Sequence, residues 1–332
     1  MIEADDLALL TASFAAAMRA APGAGAADVV LHDLGWADLL SVAPMQGAAA
    51  AFSALGTTGS AACLLDDVVV GALGLPVSTA TCIVLPAPHR TGMALTGRTI
   101  DGIVSARVDS ATRVIVPRDV NGVVHVGWAS ADLVRVDIAV GLDSARPYQR
   151  AVADDVDVND LQPVAASWSD VVAQARAALA HQLIAASRGM LEQARQHAID
   201  RVQFGRPIAS FQAIRHKLAD CLVAIEGAAA VADLCSAGTA RTVGTVGTAG
   251  TGIADPLFAA VAKSLAGKAA RLTATHAQQV LAGIGFTTDH QFHLSLKRTM
   301  VLDTLFGSAR TLPTEIGQLL LAKRGVPRII EL

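Results

Sequence analysis

Apolar residues recur every three to four positions through "DDLALLTASFAAAMRAA" near the start of the chain, a spacing that predicts a helix with one buried stripe. "LGWADLL" and "CLLDDVVVGALG" predict two shorter helices, and Pro76 punctuates the end of this helical region. The pattern then changes. From Val77 to about Asp157, β-branched runs separated by Gly, Pro, Asn and Asp predict strands, "TCIVLP", "TRVIVPR", "GVVHVGW" and "DLVRVDIAV", in a small antiparallel sheet.

Helical spacing returns at Ser167, now in long stretches. Ser167 and Asp170 form an S-x-x-D capping pattern that opens a helix running to about Asp200. Ser210 is expected to cap the next, with Phe211, Ile214, Leu218, Leu222 and Ile225 as its stripe and an end near Gly238. Asp255 before Pro256 starts a third, which runs to about Gly283, because proline suits the first helical position. Asp289 is expected to cap a fourth through Leu305, and "PTEIGQLLLAKR" makes a short fifth. The expected class is α+β: an N-terminal helical domain (1–76), a middle antiparallel β domain (77–160) and a C-terminal four-helix bundle domain (161–332).

Composition narrows the picture. Only 17% of the 332 residues are charged, below the roughly 25% of ordinary soluble domains, and alanine is abundant, so other subunits are expected to cover much of the surface. The net charge of -3 and the scattered lysines and arginines disfavour nucleic-acid binding. The N-terminus is acidic where a secretory signal is basic, and no run of about 18 uncharged apolar residues occurs, so the chain is expected to be cytoplasmic and without a membrane span. Cys63, Cys82, Cys221 and Cys235 lack any CxxC or zinc-like grouping and read as core residues in a reducing compartment.

Candidate chemistry is sparse. A di-iron bundle needs Glu-x-x-His pairs, yet Glu192 is followed three residues on by Arg195 and Glu226 by Ala229, and His290 and His293 have no carboxylate companions; no metal site is expected. No G-x-S-x-G elbow appears. The tract "GTARTVGTVGTAGTG", Gly238 to Gly252, lacks both phosphate-loop patterns and reads as a flexible tether.

Two stretches remain, "RVQFGRPIASFQAIRHKLAD" (Arg201 to Asp220) and "HAQQVLAGIGFTTDHQFH" (His276 to His293). The first resembles the acyl-CoA dehydrogenase motif R-x-Q-F-G-x-P-I-x-x-F-Q-x-x-x-H-x-L-A-D, through Arg201, Gln203, Phe204, Gly205, Pro207, Ile208, Phe211, Gln212, His216, Leu218, Ala219 and Asp220. The second resembles that family's Q-x-x-G-G-x-G-F, through Gln279, Gly283, Gly285 and Phe286, with Ala282 in place of one glycine. The resemblance implies N-terminal helices, a β domain and a bundle assembled as a tetramer, with FAD between subunits. It further implies that Arg201, Gln203, Phe204, Gln212, Gln279 and Gly283 reach an FAD held mainly by the neighbouring chain. The residue types suit that role: a planar guanidinium for pyrophosphate, an aromatic face, paired amide donors and acceptors, and a glycine for close backbone approach. Each also has a plain structural reading: Arg201 and Gln212 tying the turn to the helix ends, Phe204 and Phe211 in the core, Gly283 ending a helix.

The family removes an α-proton from an acyl-CoA with a glutamate, a group worth on the order of a hundredfold to ten-thousandfold. The two positions that the resemblance assigns to this base hold Ala175 on the first bundle helix and Phe306 or Gly307 after the fourth; Asp303 is the nearest carboxylate. "LPAPHRTGMAL", from Leu85, stands where the family has a T-E-P-x-A-G-S-D-like segment that holds flavin and acyl chain. The half-site lent to a neighbour is kept, while the half serving the chain's own flavin is eroded. This pattern resembles the α2β2 members of the family that act in actinobacterial steroid side-chain breakdown. The expectation is a subunit of an FAD-dependent acyl-CoA dehydrogenase making a 2,3-enoyl-CoA, active with a homologous partner. A self-sufficient enzyme using Asp303 and a flavin-free structural bundle are the alternatives.

Overall fold

The structure, a computed structural model, describes residues 2–134, 142–143, 148–237 and 254–323. The N-terminal region holds the three expected helices, α1 (Ala4–Ala20), α3 (Trp36–Val42) and α5 (Leu64–Ala72), and two more, α2 (Ala24–Asp33) and α4 (Pro44–Thr58). Neither extra helix carries a distinct apolar stripe. Alanine drives helix formation without marking a face, and α4 is buried along most of its length. Pro44 occupies its first turn, and Gly59 closes it in the left-handed region (φ 68°). Gly56 lets α4 lie directly on the first bundle helix, α7 (Trp168–Asp200), because a Cβ there would overlap the Gln182 carbonyl.

The β region forms two small antiparallel sheets instead of one. In the first, β3 (Thr99–Ser105) pairs with β1 (Leu85–Pro86) and β2 (Leu95–Thr96) along one edge and β6 (Tyr148–Ala153) along the other. In the second, β5 (Val123–Ser130) lies between β4 (Arg113–Val120) and β7 (Asn159–Pro163). Asn121 (φ 54°) and Gly122 (φ 82°) make the two-residue turn between β4 and β5, the residue pair best suited to two positive φ values. Two expected strands change. "TCIVLP" is strand only at Leu85–Pro86, its preceding residues being buried between the layers and joined to the second sheet by one parallel bridge, Ile83 to Ile115. "DLVRVDIAV" begins inside a short helical turn, α6 (Ala131–Val134), which buries Ala131 and Val134; its residues 135–140 lie outside the described residues.

In the bundle, Ser167 caps α7 by accepting from the Asp170 N–H (3.1 Å), as expected. Asp255 caps α9 (Pro256–Leu281) by accepting from the Leu257 N–H (2.8 Å). Ser210 does not cap α8 (Gln212–Ser236): its hydroxyl donates to the Pro207 carbonyl (2.7 Å) within a 3-10 turn, so the helix starts after Phe211. Its buried face is Cys221, Ile225, Ala228, Ala229 and Ala232, while Leu222 is exposed. Asp289 makes no cap for α10 (Phe292–Thr304), which begins after Gln291, and α11 (Leu312–Lys323) follows. The Gly238 to Gly252 tract lies outside the described residues. The four cysteines are buried and form no disulfide.

One core runs through the N-terminal helices and the bundle, a second fills the β region, and a third closes the far end of the bundle around Met190, Leu281 and Phe292. A buried ionic cluster joins the N-terminal helices to the β region. Arg107, just past β3, donates to Asp28 on α2 (2.8 Å) and to Asp67 on α5 (3.0 Å), and Asp67 also accepts from Trp36 (3.0 Å). Burial pushes Asp66 up to about 7 against the pull of Arg107 and a hydrogen bond from Ser105 (2.6 Å). Burial also works to raise Asp67, but hydrogen bonds from His32 and Arg107 outweigh it and hold that carboxyl below its usual range.

Candidate functional site

The motif residues after α7 form a tight hairpin. β8 (Val202–Gln203) pairs with β9 (Arg206–Pro207) across Phe204 (φ 54°) and Gly205 (φ 76°), and the Ile208 N–H returns to the Arg201 carbonyl (2.8 Å). The turn resembles the Asn121–Gly122 turn, with a phenylalanine in the asparagine place. A bulky residue with positive φ is strained. Phe204 is 90% exposed and, among the described residues, its ring meets the edge of Phe211 (centroids 6.1 Å apart), over which the Arg206 guanidinium lies at 4.4 Å.

All six residues expected at the cofactor gather at this end of the bundle. Lys217 in α8 donates to Gln279 near the end of α9 (2.8 Å), so the start of one helix and the end of the other lie side by side. Arg201, Gln203, Phe204, Gln212, Gln279 and Gly283 are all exposed. Among the described residues, the side chains of Arg201 and Gln212 have no hydrogen-bond or ion-pair partner, so neither ties the turn to a helix end. Gln203 bonds only its neighbour, the Val202 carbonyl (2.8 Å). Gly283 does not end α9; Ala282 does, at φ 51°, and a Cβ on Gly283 would meet nothing within 4 Å. Phe286, 77% exposed, adds a second solvent-facing ring. The donor set fits FAD: an unpaired guanidinium for phosphate, amides with free valences, an aromatic face and an open glycine backbone.

The positions that the resemblance assigns to the base are the reverse. Ala175 is fully buried in α7, and Phe306 is buried with φ 54°. Gly307 has φ 93°, and a Cβ there would stand 2.8 Å from Leu312. Their surroundings are wired. Arg176 donates through Nε to the Phe306 carbonyl (3.0 Å) and through both terminal nitrogens to Glu315 on α11 (2.8 and 2.7 Å). Lys263 on α9 donates to the carbonyls of Asp303 (3.0 Å) and Gly307 (3.2 Å). Burial lowers its ammonium to about 8, against the attraction of Asp303. Asp303 accepts from the Ala309 N–H (3.0 Å) and stands 3.9 Å from Lys263, so its carboxylate braces the turn before α11. The "LPAPHRTGMAL" loop is fastened here: the His89 N–H donates to the Thr304 carbonyl (2.7 Å), and Trp168 Nε1 to the Thr91 carbonyl (2.7 Å).

Sequence reasoning missed Arg176, Lys263 and Glu315. The available signal was a lone cation inside each of two Ala-rich stretches, "AQARAALA" and "AAVAKSLA", whose other residues are mostly apolar. Among the described residues, no group of three His, Cys, Asp or Glu side chains could hold a metal, and no helix is long and apolar enough to cross a membrane.

The arrangement of helices, β region and bundle is an acyl-CoA dehydrogenase fold. It superposes on a chain of the ChsE4–ChsE5 complex from Mycobacterium tuberculosis with a TM-score of 0.77 at 18% identity, over 98% of this chain and 99% of that one. Residues 165–321 match the family described as acyl-CoA dehydrogenase, C-terminal domain, and the chain resembles the acyl-CoA dehydrogenases, a flavoprotein family. It is 39% identical over 121 residues to the acyl-CoA dehydrogenase IpdE2 of M. tuberculosis (36% of this chain, 33% of that protein). It is 32% identical over 200 residues to the acyl-CoA dehydrogenase FadE34 of the same organism (59% of this chain, 26% of that protein). The matched part thus spans a third or less of the length of these curated relatives.

Proposed function

We propose that the chain is a subunit of a heteromeric, FAD-dependent acyl-CoA dehydrogenase, presenting its hairpin end to a flavin held by a homologous partner subunit and supplying no catalytic base. FAD, when bound, supplies the hydride acceptor for α,β-dehydrogenation of an acyl-CoA thioester. In this reading Arg201 holds a phosphate, Gln203, Gln212 and Gln279 bond polar edges, Phe204 covers an apolar face, and Gly283 admits close backbone approach. The partner contributes the glutamate. An α2β2 assembly and a bulky acyl group of steroid type fit the resemblance to the heterotetrameric members of the family.

The observation that carries the reading is Phe204, an aromatic ring in a strained conformation whose exposed face gains nothing inside its own chain. The surroundings of Phe306 and Gly307 support the second half: carbonyls already taken by Arg176 and Lys263, and an Asp303 carboxylate already engaged. The test is acyl-CoA-dependent dye reduction by the chain alone, by the chain co-expressed with a glutamate-bearing homologue, and by that pair carrying Asp303→Asn. Turnover is expected only in the pairs, with Asp303→Asn costing less than about tenfold, or about 1.4 kcal/mol. Turnover by the chain alone, abolished by Asp303→Asn with flavin retained, establishes the self-sufficient reading instead.

A further inference from the structure

Two consecutive glutamines near the end of α9 spend their amides differently. Gln278 turns its Nε2 back to the Ala282 carbonyl (3.4 Å), within its own helix end. Gln279 faces α8 instead, where its Oε1 accepts from Lys217 Nζ (2.8 Å). An ammonium only donates, so the amide atom it meets is the oxygen, and that bond settles which way the Gln279 amide is turned. Both N–H bonds of the amide are left for other partners, and among the described residues they have none. The seam between the two helices is fixed from within: Ile214 and Leu218, near Lys217 in α8, pack against the third core, which contains Val280 and Leu281 of α9.

Lys217 stands out by what it bonds. Among the described residues it has no ion-pair partner, so its ammonium is spent on a neutral amide and keeps its charge uncompensated. The last torsion of a glutamine is broad and roughly two-fold, so an amide without such a bond presents its oxygen as readily as its nitrogen. We propose that Lys217 is a positioning residue for the flavin half-site: by taking Gln279 Oε1 it leaves Gln279 only N–H donors to present, so that this glutamine meets an acceptor atom of the cofactor, a phosphate oxygen, ring carbonyl or ring nitrogen, and not an amino group. The inference rests on the proposed function, to which it adds the polarity of one contact and the residue that sets it.

The test measures FAD affinity by equilibrium dialysis in the pair formed with a glutamate-bearing homologue. Lys217→Met keeps a good helix former at a half-exposed position and should leave circular dichroism and Tm at wild-type values. It is expected to weaken FAD about three- to tenfold, the range of one hydrogen bond. Lys217→Arg, again a donor with no acceptor, should stay within about twofold of wild type. Gln279→Glu keeps the bond to Lys217 but replaces the outward N–H bonds by oxygen, and should weaken FAD by about tenfold or more. In a Gln279→Leu background, Lys217→Met should add less than about twofold, because it acts through the amide. Unchanged affinity in Lys217→Met, an equal loss in the Gln279→Leu background, or FAD held as tightly by Gln279→Glu as by wild type overturns the proposal. If Arg201→Ala releases FAD and Lys217→Met does not, this inference alone falls; a wild-type pair that holds no FAD removes the proposed function and this inference with it.

Discussion

The dipeptide Phe-Gly occurs at 204–205 and again at 306–307, and in both places the phenylalanine has φ 54° and the glycine a positive φ. Phe306 is packed into the main core, with its carbonyl held by Arg176, so the cost of the left-handed phenylalanine, about 1–2 kcal/mol, is offset within the chain. Phe204 has the same cost and stands in solvent, beside an Arg201 with no partner among the described residues. The difference teaches where this chain is complete. Around Phe306, Arg176, Lys263, Asp303 and Glu315 are engaged with one another or with backbone, whereas at the hairpin end the side chains of Arg201 and Gln212 have no partner among the described residues.

The largest expected effect tests the finished region. Arg176→Ala strands the Phe306 carbonyl and Glu315, and should cost about 3 kcal/mol in urea unfolding, at the low end for a broken buried pair because Glu315 keeps some water. A loss under 1 kcal/mol breaks the comparison. Arg201→Ala should leave that unfolding midpoint alone and instead weaken flavin retention in the assembled complex by about 1.5–3 kcal/mol, measured by equilibrium dialysis. Unchanged retention removes Arg201 from the cofactor.

A pH experiment sharpens the account of the closed region. The Lys263 ammonium is depressed in the fold, from its ordinary 10.5 to about 8, so its contribution to stability is present above the unfolded value and lost as pH falls through about 8. Wild type should therefore gain on Lys263→Met as pH rises from 8 toward 10.5, in paired urea titrations. Wild-type stability that stays level or falls relative to Lys263→Met over that window refutes the assignment. The smallest effect is the most pointed. Phe204→Asn converts the hairpin to the favoured Asn-Gly turn and should raise stability by a few tenths to about 1 kcal/mol while weakening assembly with the partner, read by denaturant midpoint and by sedimentation. A destabilised variant means that Phe204 serves its own chain.

What the sequence discloses follows from the range of the interactions involved. The caps at Ser167 and Asp255 are legible because each bonds N–H groups two or three residues away. Ser210 misleads at the same range, since the Pro207 carbonyl competes for its hydroxyl. "TCIVLP" misleads because a short apolar run buried between layers reads like a paired strand. The open end is legible as a motif because its residues fall in two short stretches of the chain. The closed end is not: Arg176 and Glu315 are 139 positions apart, and nothing local to either announces the other.

Arg107 reaches back 79 residues to Asp28 and 40 to Asp67, which sets a limit on how the chain can be divided. A fragment ending between α5 and β1 would contain five helices and a plausible core, yet Asp28, Asp66 and Asp67 would lose Arg107 and Ser105, which pair and cover them, to the other piece. Such a fragment would present three unpaired carboxylates at a face the whole chain buries. The helical segment is thus not a transplantable module: any chimera or split version of this protein needs its junction downstream of Arg107, whatever the boundary between helix and strand suggests.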